Sequence, residues 1–157
     1  MSSTAKSAPR RLFHLFPTFA VGGSQVRLAQ IVNHFGDRYS HTIFATDGVY
    51  DALSLIGGHV PMTKLEASID KRRGLRNVPL YRRIMRETDA DVVVTHNWGT
   101  IEWAFATRFV FGVRHVHIED GFGPDEAERQ LARRVWFRRL ALAGPRTTIV
   151  VPSRVLF

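Results

Sequence analysis

The sequence predicts an α/β domain: a doubly wound, mostly parallel, Rossmann-like sheet with helices on both faces. Three observations point there. Strand-length apolar runs alternate with segments of helical period along the chain. The first run enters a paired-glycine turn, Gly22-Gly23, and leaves it as a long helix with an apolar face, the opening of a βαβ unit. The clearest strand, centred on Val92, Val93 and Val94, is apolar on both alternating faces, as strands covered by helices on both sides are.

Taken in order, Arg11 to Phe16 reads as a buried strand, and Pro17 to Gly23 as the loop behind it. Ser24 has the chemistry of an N-cap. Val26, Leu28, Ala29, Ile31, Val32 and Phe35 give the helix a broad apolar face, and Gly36 closes it. His41 to Thr46 is a second strand ending at Asp47-Gly48, and Val60 to Leu65 a third, confined to an edge by Pro61. Asp70 to Gly74 reads as an exposed loop. A helix starts near Pro79, with Leu80/Ile84 and Tyr81/Met85 inward and Arg82, Arg83 and Arg86 toward solvent. The Asp91 to Thr95 strand ends in His96-Asn97-Trp98-Gly99, a helix covers about Thr100 to Phe111, and Val113 to Ile118 is the next strand. Asp125 to Ala143 reads as a long helix, with Asp125, Glu126 and Glu128 in its first turns and Arg133, Arg134, Arg138 and Arg139 later, complementing its dipole. Thr147 to Val151 is the sixth strand. Residues 1–10 read as a disordered tail and 11–152 as one domain. Residues 153–157 read as a single helical turn, unstable alone, that begins a link to a further domain.

With 157 residues, 45% apolar and 23% charged, the chain is long enough for one buried core. Arg, His, Asp or Gly interrupts every apolar run, which argues against a membrane-spanning helix, and the short run from Leu12 to Phe16 contains His14, unlike a secretory signal. The absence of cysteine excludes disulfides, thiolate nucleophiles and Cys-ligated zinc, and fits a cytoplasmic location. A formal charge of +8 suits a polyanion, an anionic membrane surface or a phosphorylated small molecule; no nucleic-acid motif accompanies it.

In open parallel sheets ligands sit beyond the carboxyl ends of the strands, and Gly22-Gly23, Asp47-Gly48, His96-Asn97-Trp98, Glu119-Asp120-Gly121 and Pro152-Ser153 occupy those ends. Paired glycines remove Cβ atoms and let backbone amides and a helix N-terminus face an anion such as a diphosphate; a tight turn without a ligand would look the same. The dinucleotide fingerprint needs spaced glycines, and here Gln25 and Val26 stand where they would be sought, although Asp47 could meet ribose hydroxyls. No Gly-Lys-Ser/Thr is present, which excludes a P-loop. His115, His117 and Glu119 share one face of their strand; without a further ligand they read as packed or cleft-lining groups, not as a metal site. Glu119 and Asp120 should point oppositely, one of them into the cleft, as a general base for an acceptor hydroxyl or as a partner of arginine. Trp98 offers either a sugar-stacking face or core packing.

Phe13 to Asn33, with its strand, Gly-Gly loop and apolar helix, resembles the opening of glycosyltransferase family 4. Asp91 to Trp103, His115 to Ala127 and the Thr148 to Arg154 strand exit resemble bacterial members further along. The resemblance implies the acceptor-side, N-terminal half of a GT-B enzyme that moves a sugar from a nucleotide diphosphate sugar, with retention of configuration and without a metal or other cofactor, to a glycan or lipid-linked acceptor. It places Gly22 and Gly23 against the donor diphosphate, and His96, Asn97 and Trp98 around the acceptor. Many members carry a histidine where this chain has Asp120, which leaves the polar acceptor-side group open among Asp120, Glu119 and His117. The donor-binding E-x7-E segment of the family belongs to a second domain, so this chain alone is not expected to turn over. The implied setting is cytoplasmic, including the inner face of an anionic membrane, with no nucleic-acid partner. The rival readings are a nicotinamide dehydrogenase domain and a basic membrane-surface or nucleic-acid module.

Overall fold

The computed structural model describes residues 8–121 and 131–152. Among them the chain runs β1 (Arg10–Phe16), α1 (Gly23–Phe35), β2 (Tyr39–Ala45), β3 (Met62–Lys64), α2 (Val78–Glu87), β4 (Val92–His96), α3 (Ile101–Thr107), β5 (Arg114–Ile118), α4 (Ala132–Leu142) and β6 (Thr147–Val150). The strands form one parallel sheet in the order β3-β2-β1-β4-β5-β6. That is the doubly wound order, and the direction of winding reverses between β1 and β4.

Each face of the sheet has its own core. Phe16, Ile43 and Ala45 pack with Leu28 and Val32 of α1, while Phe13, Leu15, Phe44 and Val93 pack with Tyr81, Ile84 and Met85 of α2 and Trp103 and Ala106 of α3. The alternation of β1 side chains between the two sets is the period-2 geometry of a strand buried on both faces. Helix α4 extends the second layer, packing Ala141 against Ile101 and Ala104 of α3.

The elements expected from sequence form, with local corrections. Helix α1 starts at Gly23 with Gly22, not Ser24, in the cap position, and its buried face is narrower than expected: Ile31 and Phe35 are exposed. Ile31 lies off the Leu28, Ala29 and Val32 stripe that meets the sheet, and Phe35, at the end of the helix, packs edge-on against Tyr39. Gly36 ends the helix at φ 58°, where a Cβ would be strained. The exposed segment after Asp70 winds into a short 3-10 stretch, Lys71–Asn77, and α3 stops at Thr107 instead of reaching Phe111. Strand β3 is short and at the edge, consistent with the donor-less Pro61 before it. The acidic first turns at Asp125, Glu126 and Glu128 and the turn after Pro152 lie outside the described residues. None of the described helices is long and apolar enough to cross a membrane.

Candidate functional site

The β1–α1 and β4–α3 loops meet where the winding reverses. A Cβ on Gly99 would come within 2.6 Å of Pro17 Cγ, so Gly99 is what lets the two loops touch. This crevice is where ligands of open α/β sheets bind, and the sheet divides its approach into two sides.

On the α1 side, Gly22 is extended and no side chain caps the helix; its first turn holds no acidic residue. Gln25 is buried because it locks the loop: its Nε2 donates to the Thr18 carbonyl at 2.9 Å and its Oε1 accepts the Ser24 hydroxyl at 2.9 Å. The hydroxyl expected to cap the helix is thereby spent on Gln25. The two glycines differ. A Cβ on Gly22 would press on Gln25 Oε1 at 2.9 Å, whereas a Cβ on Gly23 would meet nothing within 4 Å. Neither packing nor a left-handed backbone requires glycine at position 23.

Four residues past Gly23, Arg27 forms an ion pair with Asp120 at the exit of β5. Asn97, at the exit of β4, holds that carboxylate: its Oδ1 accepts the Asp120 amide at 2.7 Å and its Nδ2 approaches Asp120 Oδ2 at 3.5 Å. Asn97 does this from φ 60° and ψ 177°, a conformation that residues other than glycine rarely adopt. The preceding His96 turns inward and stacks on Phe16 with ring centroids 3.7 Å apart. It is 1% exposed, and neither ring nitrogen has a partner among the described residues. Burial first, then the charges of His14, His117 and Arg27, push its pKa far down and keep it neutral.

Glu119, just past the end of β5, points the other way. Its Oε2 lies 3.5 Å from His117 Nε2 and 3.5 Å from Arg138 Nε of α4. The Thr95 hydroxyl sits 2.8 Å from both His115 and His117, and His115 also reaches Thr147 at 3.2 Å. These residues therefore form a connected polar row under α4, in which Glu119 Oε1 has no partner among the described residues.

Beside that row, on the α2–α4 side, opens a cleft of about 520 Å³, within the size range of small-ligand sites. Tyr81 and Trp103, stacked 4.0 Å apart, form its floor. Glu102 stands on the floor with Oε2 3.4 Å from the Tyr81 hydroxyl, which also lies 3.4 Å from Asn77 Nδ2. Burial raises the Glu102 carboxyl pKa against the opposing Tyr81 hydrogen bond, and burial pushes the Tyr81 hydroxyl up to about 12. Lys71, Arg133 and Arg134 make the walls basic. Trp98 also lines the cleft, but the guanidiniums of Arg134 and Arg138 each lie 5.0 Å from its ring centre, so cations already occupy the ring expected to stack on a sugar.

The eight side chains and glycines expected from sequence are thus split. Gly22, Gly23, Asn97 and Asp120 gather on the α1 side; Glu119 and His117 lie in the row under α4; Trp98 borders the cleft; His96 is buried and lines neither surface. Sequence reasoning missed Arg27, Glu102 and Tyr81. Arg27 carried a usable signal, since a residue four past Gly23 shares its helix face. Asp47, which a dinucleotide site would need for ribose, accepts the Val49 amide at 3.0 Å and closes its own turn.

Residues 22–156 match the model of the glycosyl transferase 4-like domain. The chain belongs to that family. Among solved structures it is similar to a protein from Listeria monocytogenes described as a UDP-N-acetylglucosamine 2-epimerase, at 13% identity and a TM-score of 0.57. That likeness covers 94% of this chain and 40% of the other, and speaks for the fold. No curated protein sequence matches significantly. Family and fold agree with the GT-B-type N-terminal domain expected from sequence: a glycosyl transferase 4-like domain with a parallel Rossmann-like sheet.

Proposed function

We propose that this domain is the acceptor-side half of a sugar transferase. The diphosphate of a nucleotide sugar lies against Gly22-Gly23 and the α1 N-terminus, and the acceptor enters the Tyr81–Trp103 cleft. The observation that carries the reading is the empty space in front of Gly23. A glycine that neither φ nor packing demands, at an uncapped helix start on the crevice, leaves room for a ligand to reach backbone amides. In the cleft, Glu102 offers an acceptor for the hydroxyls of a sugar, and Lys71 and Arg133 of the walls offer donors. Through the family, the reading extends to transfer with retention of configuration, without a metal or other cofactor, to a glycan or lipid-linked acceptor. Exposed Arg83 and Arg86 on α2, and Arg139 beside the 66%-exposed Trp136 on α4, suit an acceptor presented at an anionic membrane surface.

Gly23→Ala tests the first half. The added methyl meets open space, so folding stability should hold or rise by up to about 1 kcal/mol from helix propensity. Titration of uridine diphosphate into the 157-residue chain, followed by amide NMR, should shift the Gly23, Ser24 and Gln25 signals. The variant should weaken that binding by at least about tenfold. Equal binding by the variant, or silent amides in the parent chain, sinks the reading.

A further inference from the structure

We propose that Arg27 is a phosphate ligand of this site, and that Asp120 is the anion that occupies it when the site is empty. The proposal rests on the diphosphate reading of Gly22-Gly23. One helical turn separates Gly23 from Arg27, so the guanidinium and the open amides lie on one helix face at successive depths.

The partners of Asp120 show which side of the ion pair is fixed. Its amide donates to Asn97 Oδ1, its carboxylate lies against Asn97 Nδ2, and Asn97 is held at φ 60° by its own amide donating to the Ile118 carbonyl at 2.8 Å. The carboxylate is therefore a fixed post. Arg27, on a long side chain 35% exposed against 17% for Asp120, is the movable member.

A guanidinium carries five N–H donors, and a multiply charged diphosphate offers it more acceptors than one carboxylate.

The consequence is an exchange. In the empty site Asp120 neutralises Arg27 and keeps it folded against β5; a diphosphate on the Gly22-Gly23 loop draws Arg27 away, leaving Asp120 to Asn97. Asp120 is then a competitor for the donor and holds the arginine at the crevice, while Arg27 is the group that touches the ligand.

Inorganic pyrophosphate titrated into the 157-residue chain tests this, with the Gly23–Gln25 amides and the Arg27 Nε–H followed by NMR. Both sets should shift on one binding curve, and sodium sulfate at matched ionic strength should leave them in place. Arg27→Gln should weaken binding at least about tenfold, the loss of a charge-assisted contact, and Arg27→Lys should recover part of it. Asp120→Asn should tighten binding by about threefold or more, since it removes the competing charge. Unchanged affinity in Arg27→Gln, with the amides still shifting, overturns the role of Arg27 and leaves the diphosphate reading standing. Weaker binding in Asp120→Asn overturns the exchange. Amides that stay silent while Arg27 Nε–H moves overturn the diphosphate reading and leave Arg27 a phosphate ligand; silence at both, or an equal response to sulfate, overturns both.

Discussion

The two faces of the sheet bury histidines under opposite terms. On the α1 side His14 and His41 hydrogen-bond to each other, Nε2 to Nδ1 at 3.0 Å, and their remaining nitrogens, like both of His96, have no hydrogen-bond partner among the described residues. On the α2–α4 side His115 and His117 are bridged by Thr95, and the row continues to Thr147 at one end and Glu119 and Arg138 at the other. The α2–α4 face gives every ring nitrogen of His115 and His117 a partner, while Glu119 Oε1 has none among the described residues. The other leaves donors unanswered beneath the helix whose N-terminus opens on the crevice. Buried polar groups in folded proteins are nearly always bonded, so the unanswered face is where a ligand has something to add.

The strongest way to break the comparison is acid. Burial, and then the charge of His41, lowers the His14 pKa to about 3; burial lowers that of His41 to about 4. Both are neutral in the fold, but in the unfolded chain they protonate near 6.5. The unfolded chain therefore binds more protons below that pH, and stability falls as pH drops from about 6.5 through 4 and on toward 3. Each group contributes up to about 1.4 kcal/mol per pH unit in that window. Urea unfolding from pH 7 to 4 should show a steep loss, and His14→Leu with His41→Leu should flatten it without lowering stability at pH 7. An acid limb as steep in the double variant would place the sensitivity on His96, of the same face, or on His115, of the other, since burial lowers both their pKa values, that of His115 to about 4.

The split between faces was only partly legible in the sequence. Val92 to Val94 announced a strand buried on both sides, and Gly36 a helix end, because each feature depends on a few adjacent residues. That Glu119 and Asp120 diverge also followed from strand geometry. Which of them meets α1 did not, since it depends on Arg27, 93 positions away from Asp120. The cap at Gly22 was misread for a similar reason: Ser24 has cap chemistry, but Gln25, bound to Thr18, takes its hydroxyl. Glu102 was invisible as a cleft residue because Tyr81 and Trp103 form the cleft only after α2 packs on α3.

The next test compares the two tryptophans of the cleft. Trp103 is 2% exposed and packs on Tyr81, Phe13 and Phe44, so its truncation to alanine should lower stability by about 3–5 kcal/mol. Trp98 lies nearer the surface, with two guanidiniums over its ring, and Trp98→Ala should lose about 1–2 kcal/mol. Denaturant midpoints measure both. Equal losses would mean that Trp98 is core, and that the cleft wall is as rigid as its floor.

The smallest effect bears on the other side of the crevice. Asn97→Ala removes both contacts to Asp120 and keeps a Cβ at φ 60°, and should lower stability by about 1–3 kcal/mol. Asn97→Gly removes the same contacts but fits that backbone freely, so it should be the more stable of the two by about 1 kcal/mol or more. The difference between the variants therefore reports the strain alone, separate from the bonds. Equal stabilities would show that the backbone at Asn97 relaxes once its side chain is gone. A clear gap would show that the β4 exit is held in its unfavourable conformation by the surrounding loops, with Asn97 fixing Asp120 opposite Arg27.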